Sequence, residues 1–323
     1  MKICIYGAGA GGGHLAIKLA AAGHDVSVVA RGAHLAAIQK HGLQLRSGAR
    51  LLEAKVKATD DPKELGPQDL VVVAVKSTAL LDVASNVGCL LTPATPVVFP
   101  QNGIPWWYGH GLANKYPTPP DIAIFSLGDR FLDSMRVEQV VGGVIYSANE
   151  IDAPGVIKNN SPDHNRLEMG SIAGPDSNDV GCIRAVLNEA GIESPVVDDI
   201  RKAIWTKLLA NMSASTIALV TRNQSSVSRK DPALREVFVR LFGEGLAIAA
   251  AHGFTLDLDA ETMLSQLMDH KPSLLQDYEQ SRPMEIAEII LAPVAFARAR
   301  NVPCPTLDVF AALAACMAAD RGA

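Results

Sequence analysis

Residues 2–30, KICIYGAGAGGGHLAIKLAAAGHDVSVVA, contain the elements that decide the fold of this chain. The pentapeptide KICIY is typical of a buried strand, and the glycines after it form a turn. HLAIKLAAAG then has helical composition, and DVSVVA at 25–30 is a second apolar strand. A strand, a helix and a second strand in this order indicate a parallel βαβ unit. The sequence therefore predicts a doubly wound α/β domain that begins at its first residues.

The glycines of this turn follow the G-x-G-x-x-G pattern at Gly7, Gly9 and Gly12. In this pattern the first glycine permits a tight turn, the second lets a pyrophosphate approach the backbone, and the third allows close packing of helix on strand. The helix N-terminus adds N–H donors and a partial positive charge. We expect a dinucleotide site here, the alternative being a tight turn that binds nothing.

The end of the second strand bears on which dinucleotide is bound. An NAD site usually has Asp or Glu at this position for the ribose 2′-hydroxyl, whereas this chain has Arg31. A guanidinium can hold a 2′-phosphate through two hydrogen bonds, so the sequence favours NADP(H). Lys76, at the end of the apolar strand at 70–76, should lie at the ligand-binding edge of the sheet. Either cation could instead be a solvated strand end.

The rest of the chain divides into two parts of different character. Apolar runs at 70–76 and 95–100 predict further parallel strands, and 140–151 and 155–160 read as antiparallel edge strands because polar residues alternate there. From about residue 199 the periodicity is helical. We predict a Rossmann-like α/β domain at 1–197 and an all-α substrate and dimerisation domain at 198–323.

Composition excludes several classes of function. The net charge is −5 and no basic block occurs, so neither nucleic acid nor an anionic membrane is an expected partner. The 5 cysteines are scattered without a C-x-x-C pair, which argues for a reduced cytoplasmic protein and against a metal site. The longest apolar stretches are interrupted by Pro, Lys or Asp, so no membrane span is expected.

Four further motifs, in order along the chain, resemble the ketopantoate reductase (2-dehydropantoate 2-reductase) family: AVKSTAL, QNG, WTKLLAN and SLLQDYEQSRPMEI. The resemblance covers nearly the whole length. It implies a Rossmann domain followed by a helical domain, with substrate held in the cleft between them. It also implies an oxidoreductase that uses NADPH to reduce a small 2-oxo acid to a 2-hydroxy acid, and a homodimer.

The resemblance assigns roles to residues at matching positions. Lys207 in WTKLLAN corresponds to the general acid that protonates the carbonyl oxygen, and Asn211, one turn later, to a substrate-binding residue. Glu285 corresponds to the acid that binds the substrate hydroxyl, with Pro283 in the first turn of its helix. The resemblance places Ser273 at the substrate carboxylate and Asn102 near the nicotinamide and the lysine. Without it, each residue would read as a solvated helix or turn residue.

Two departures from the family pattern fall in the substrate region. Ser215 stands where well-studied members have a second substrate-binding asparagine, and it is shorter, with fewer hydrogen-bonding atoms. After QNG the chain continues IPWWYGHG, where the pantothenate-pathway enzymes have small residues and an acid. We expect core packing for at least one of Trp106 and Trp107. The other could wall the substrate pocket.

These observations leave three interpretations of the function. The first is NADPH-dependent reduction of 2-dehydropantoate to pantoate, as in pantothenate biosynthesis, with Lys207 as general acid. The second is a paralogous NADPH-dependent reductase of a different 2-oxo acid or ketone. The third is an NADP-binding sensor without catalysis, against which stands the joint presence of Lys207, Ser273 and Glu285.

Overall fold

A computed structural model describes residues 1–174 and 180–320 of the chain. The chain forms two compact units. The α/β unit comprises Met1–Gln101 and Leu127–Ile200, and the helical unit comprises Asn102–Ser126 and Arg201–Ala323. Residues 102–126 thus group with the helices although they lie between strands in the sequence. The division of function at residues 197 and 198 stays a prediction.

The α/β unit is built around a seven-stranded sheet with the order β11-β8-β7-β6-β1-β2-β5. Its strands are β1 (Lys2–Tyr6), β2 (Asp25–Val29), β5 (Lys57–Thr59), β6 (Leu70–Val73), β7 (Val97–Phe99), β8 (Val140–Ile145) and β11 (Leu167–Ser171). All neighbours pair in parallel except β8 and β11. The strand order reverses direction between β1 and β6, which is where such sheets bind ligands. The predicted Rossmann-like fold is confirmed.

The prediction of antiparallel edge strands after residue 140 is wrong in part. β8 lies inside the sheet and pairs in parallel with β7, from Val97 opposite Val140 to Phe99 opposite Gly142. The first five residues of β8 are buried, so both faces of the strand are covered by other parts of the protein. Polar side chains alternate with apolar ones only in the residues that follow β8. The antiparallel edge of this sheet is β11, which pairs with β8.

A second sheet in the same unit has four strands in the order β4-β3-β10-β9. They are β3 (Leu43–Ser47), β4 (Arg50–Ala54), β9 (Asn149–Ala153) and β10 (Val156–Asn159). β9 and β10 are antiparallel as expected, but β10 also pairs in parallel with β3, a contact across more than a hundred residues that no local pattern announces. The first helix, α1 (Ala10–Ala21), packs against strands of both sheets.

The remaining helices of the α/β unit are short. They are α2 (Gly32–His41), α3 (Leu80–Asn86), α4 (Leu127–Leu132) and α5 (Val180–Glu189), with 3-10 turns at Pro62–Glu64, Ser77–Ala79, Val87–Leu90 and Val137–Gln139. The apolar side chains of α1 and of the inner strands form one continuous core that includes Ile3, Leu15 and Val28. This core holds the glycine turn between β1 and α1 in place.

The described residues of the helical unit include two π-helical segments among the α-helices. The α-helices are α6 (Ile200–Ala210), α7 (Thr216–Thr221), α8 (Val227–Lys230), α9 (Pro232–Ala251), α10 (Ala260–Ser265), α11 (Ser273–Glu279), α12 (Ala292–Ala299) and α13 (Pro305–Ala319). The π-helical segments are Asn211–Ser215, between α6 and α7, and Ala287–Leu291, before α12. Such segments are frequent at functional sites because they change which side chains share a helix face.

Aromatic side chains form much of the core of this unit. Trp106 and Trp107 both have an exposed fraction of 0%, so core packing is confirmed for the tryptophan pair. The indole Nε1 of Trp205 donates to the Tyr108 hydroxyl at 2.8 Å, and Phe296 meets both rings edge-on at centroid distances of 5.6 and 5.3 Å. Tyr108 therefore ties the stretch after QNG to Trp205 and Phe296 of the helical unit.

One continuous helical run, Ile200–Thr221, has the length and apolar composition of a membrane span. Within its apolar window, 72% of the residues are buried inside the protein. A core helix passes the same test of length and composition, so this run is only weak evidence for a membrane segment. Its burial is the property that a core helix requires.

Candidate active site

The three glycines of the G-x-G-x-x-G turn meet three different steric demands. Gly7 has φ +103°, and a Cβ there would lie 2.5 Å from a methyl carbon of Val75. A Cβ at Gly12 would lie 1.9 Å from the carbonyl oxygen of Gly7, so helix and turn approach too closely for any side chain. A Cβ at Gly9 would meet no atom within 4 Å. The backbone at Gly9 is open to a ligand.

An open cavity of about 230 Å³ lies beside this turn. The turn residues, Arg31 and His34 line it together with Asp60 and Asp82. The guanidinium of Arg31 is 3.6 Å from the Asp82 carboxylate, in an exposed ion pair. A glycine cradle, a helix N-terminus and a guanidinium are the groups that a dinucleotide phosphate needs, so the residues present fit such a cofactor.

Lys76 lies three residues beyond the carboxyl end of β6, which ends at Val73, so it does not end the strand as predicted. It is half-buried and directly precedes the 3-10 turn Ser77–Ala79, which follows β6. Lys76 is not among the described residues that line the cavity beside the glycine turn. A role for Lys76 in cofactor binding stays a prediction.

Within the helical unit, three predicted site residues meet although they are far apart in the sequence. The Lys207 ammonium donates to Oδ1 of Asn102 at 2.8 Å across 105 positions. The Nδ2 of the same amide faces Oε2 of Glu285 at 3.4 Å across 183 positions. Asn102 therefore bridges a cation and an anion with the two ends of one amide. Lys207 is half-buried and Glu285 is buried, so solvent screens this group only in part.

The turn that carries Asn102 is seated on the π-helical segment Ala287–Leu291. Gly103 has φ +73°, and a Cβ there would lie 2.5 Å from the Glu288 carbonyl group. The next residue, Ile104, donates its backbone N–H to the Glu288 carbonyl oxygen at 3.0 Å. The NG pair thus does more than form the predicted turn, because Gly103 allows close contact with the chain that follows Glu285. Glu288, which is buried one turn after Glu285, was not predicted from the sequence.

Lys207 lies near the C-terminal end of α6, and the helix changes to π geometry four residues later. Asn211 begins the π-helical segment and is half-exposed, whereas Ser215 ends it with an exposed fraction of 7%. Across the described residues, neither side chain makes a hydrogen bond to Lys207, Asn102 or Glu285. Their predicted contact with substrate stays a prediction.

Glu285 and Ser273 lie at two helix starts. Glu285 immediately precedes the helix that begins at Ile286, and its carbonyl oxygen accepts from the Ile289 N–H at 3.2 Å. The expected position of Glu285 is correct, but Pro283 lies before the helix rather than in its first turn. Ser273 is the exposed first residue of α11, a helix that packs against α7 and the segment Asn211–Ser215. In the described residues its side chain does not join Lys207.

Arg201 is a second residue that the sequence analysis missed. Its guanidinium is buried and its Nε donates to the Tyr108 carbonyl oxygen at 2.9 Å, while Nη2 donates to the carbonyl oxygen of His110. The guanidinium carbon lies 5.7 Å from the Trp107 ring centroid. Arg201 thus holds the stretch after QNG against α6, which also carries Lys207. A charged residue at a helix start gives no sequence signal for such a role.

Two sequence profiles of one family cover most of the chain. The profile described as "Ketopantoate reductase PanE/ApbA" matches residues 3–174, and the profile "Ketopantoate reductase PanE/ApbA C terminal" matches residues 199–317. The chain belongs to the ketopantoate reductase family. The predicted family is confirmed, although the first matched segment also includes residues 102–126, which group with the helical unit.

Individual ketopantoate reductases are similar over the full length. A 2-dehydropantoate 2-reductase from Mesorhizobium japonicum is 38% identical over 100% of this chain and 99% of its own. The crystal structure of 2-dehydropantoate 2-reductase from Geobacter metallireducens is 25% identical, with a TM-score of 0.82 over 97% of this chain and 99% of that one.

A structural neighbour with another activity also shares the fold. The ternary structure of D-mandelate dehydrogenase with NADH and anilino(oxo)acetate is 20% identical, with a TM-score of 0.84 over 100% of this chain and 99% of that one. At this identity the likeness concerns the fold alone. Members of one fold can act on different substrates, so the residues of the site have to decide the substrate.

Proposed function

We propose that the chain catalyses the NADPH-dependent reduction of 2-dehydropantoate to pantoate. The contact of Lys207, Asn102 and Glu285 carries this proposal, since an ammonium, a bridging amide and a carboxylate lie together in the helical unit. Reduction of a carbonyl develops negative charge on oxygen, which a nearby ammonium stabilises and can protonate. The family membership supports the same reaction class.

The α/β unit would hold the cofactor. The open backbone at Gly9 and the N-terminus of α1 suit a pyrophosphate, and Arg31 suits a 2′-phosphate, with Lys76 as a second cation at the edge of the sheet. When bound, NADPH supplies the hydride. The absence of an acid at the end of β2 supports NADPH over NADH.

Each residue of the helical unit then has a distinct task. Lys207 gives its proton to the ketone oxygen, and Asn102 holds the ammonium through Oδ1 so that its remaining N–H groups stay directed. The Glu285 carboxylate accepts a hydrogen bond from the substrate hydroxyl. Asn211 and Ser215 would contact polar groups of the substrate, and Ser273 would bind its carboxylate.

The general-acid role is tested by Lys207→Ala, with Lys202→Ala as the matched control. Lys202 lies on the same helix but is exposed. Removal of a positioned acid lowers kcat by about 10²-fold or more, so we expect this loss for Lys207→Ala and full activity for Lys202→Ala. NADPH oxidation at 340 nm with saturating substrate measures both. A fall of less than threefold in Lys207→Ala would contradict the role.

A second candidate is a reductase of a different 2-oxo acid. The buried Ser215 favours it, because the shorter side chain offers less to a hydroxyl-bearing substrate than asparagine does. A comparison of 2-dehydropantoate with 2-oxoisovalerate separates the two, since the latter lacks the hydroxyl that Glu285 would bind. Equal kcat/KM for both acids would favour the second candidate. NADPH binding without turnover of any 2-oxo acid would instead favour a sensor.

Further properties belong to the same proposal. We expect a homodimer located in the cytoplasm, with residues 1–197 binding the cofactor and 198–323 binding substrate and forming the dimer contact. The family membership and the scattered cysteines support these expectations. Light scattering coupled to gel filtration measures the oligomeric state directly.

A further inference from the structure

His34 ties the glycine turn to the second sheet of the α/β unit. Its Nε2 lies 2.7 Å from the carbonyl oxygen of Ala8, which is the residue between the first two glycines of the turn. Its Nδ1 lies 3.0 Å from the backbone nitrogen of Gly155, in the hairpin between β9 and β10. His34 itself is on α2, half-buried, and lines the cavity beside the turn.

The two partners determine the protonation of the imidazole. A backbone N–H can only donate, so Nδ1 of His34 must accept from Gly155 and carries no proton. A carbonyl oxygen can only accept, so Nε2 must carry the proton and donate it to Ala8. His34 is therefore the neutral Nε2–H tautomer, and it donates a hydrogen bond to the Ala8 carbonyl oxygen in the glycine turn.

This hydrogen bond also fixes the direction of the Gly9 N–H, which belongs to the same peptide group as the Ala8 carbonyl. In a trans peptide the carbonyl oxygen and the following N–H point to opposite sides, so holding the Ala8 oxygen at His34 turns the Gly9 N–H away from the imidazole. Within the described residues, the Gly9 N–H makes no hydrogen bond to a backbone carbonyl. Gly9 also lines the cavity beside the turn, and a Cβ there would meet no atom within 4 Å.

We infer that His34 is a positioning residue that orients the Ala8–Gly9 peptide for a phosphate-bearing cofactor, an inference that rests on the proposed binding of NADPH. A flexible glycine peptide would have to be ordered when the cofactor binds. Because the imidazole fixes the Ala8–Gly9 peptide when the protein folds, the entropy of ordering this peptide is not lost again when the cofactor binds. The simpler alternative is that His34 only connects α2 to the hairpin through Gly155.

Two substitutions separate these roles because each retains one nitrogen position of the imidazole. The amide nitrogen of His34→Gln can reach the position of Nε2 and donate to Ala8. The shorter amide of His34→Asn can reach only the position of Nδ1, where its oxygen accepts from Gly155. His34→Ala removes both contacts. Purified full-length variants are titrated with NADPH by fluorescence, and kcat is measured at saturating NADPH.

We expect the Kd for NADPH to rise about fivefold in His34→Asn and His34→Ala, the effect of one lost hydrogen bond, and to stay within twofold in His34→Gln. The kcat at saturation should stay unchanged in all three, since His34 acts on binding. If His34→Asn binds NADPH as wild type does, or if His34→Gln weakens binding as much as His34→Ala, the inference is overturned. If wild type itself binds no NADPH, the proposed function fails with it.

Discussion

Replacement of Asn102 by alanine tests whether one amide holds the proton donor in place. The Lys207 contact at 2.8 Å is a charge-assisted hydrogen bond of normal length, whereas the Glu285 contact at 3.4 Å is long and weak. Bonds to charged groups contribute about 1.5–3 kcal/mol. If that stabilisation acts in the transition state, kcat for Asn102→Ala falls by about 10- to 150-fold.

The assay is initial-rate NADPH oxidation at saturating cofactor and substrate, so that any change in affinity does not enter kcat. Asn102→Asp is the matched variant, because it retains an oxygen for Lys207 but replaces the N–H donor that faces Glu285. Since the Lys207 contact is the shorter one, we expect Asn102→Asp to retain more kcat than Asn102→Ala. Circular dichroism verifies that both variants are folded.

A double-mutant cycle decides whether Asn102 acts through Lys207. Residues that act as a unit have non-additive effects, so Lys207→Ala combined with Asn102→Ala should have nearly the same kcat as Lys207→Ala alone. Multiplicative losses would show that the amide has a separate role. A kcat for Asn102→Ala within threefold of wild type would refute the reasoning altogether.

Two further predictions concern the α/β unit. Asp82→Asn removes the carboxylate that pairs with Arg31 and would compete with a 2′-phosphate for it. We therefore expect up to about fivefold tighter binding of NADPH and unchanged binding of NADH, both measured by fluorescence titration. An equal gain in affinity for both cofactors would contradict a contact between Arg31 and the 2′-phosphate. Burial, with a smaller contribution from Lys18, lowers the pKa of His14 from 6.5 to about 4. The unfolded chain therefore takes up this proton first, and about 3 kcal/mol of stability is lost as pH falls from 6.5 to 4. Urea unfolding should show a smaller acid loss for His14→Asn, and an unchanged pH dependence would contradict the assignment.

Local patterns predicted only part of the α/β unit, since the strands β3, β4, β5 and β11 were not expected from the sequence. The strands at β1, β2, β6 and β7 were predicted from short apolar runs, and the observed glycine contacts follow from the spacing of the turn. The errors arose where a partner strand decides the outcome. β8 was predicted to be an antiparallel edge strand. It instead lies between two neighbours, and it pairs in parallel with β7 and antiparallel with β11.

The helical unit shows the same limit for side chains. The tryptophan pair was predicted as core for at least one ring, but the guanidinium of Arg201 beside Trp107 could not be predicted, because a buried charge requires carbonyl acceptors from another segment. Glu288 was likewise not predicted, because its carbonyl oxygen accepts a hydrogen bond from the backbone N–H of Ile104, which is far away in the sequence.

The sequence by itself determined the family, the Rossmann-like sheet and the candidate site residues, because glycine spacing, hydrophobic period and motif order are local properties of the chain. Only the tertiary structure decided which groups meet. Asn102 contacts Lys207 and Glu285, and His34 contacts Ala8 and Gly155, through packing of distant segments. Such contacts depend on the relative positions of whole elements, which no stretch of sequence specifies alone.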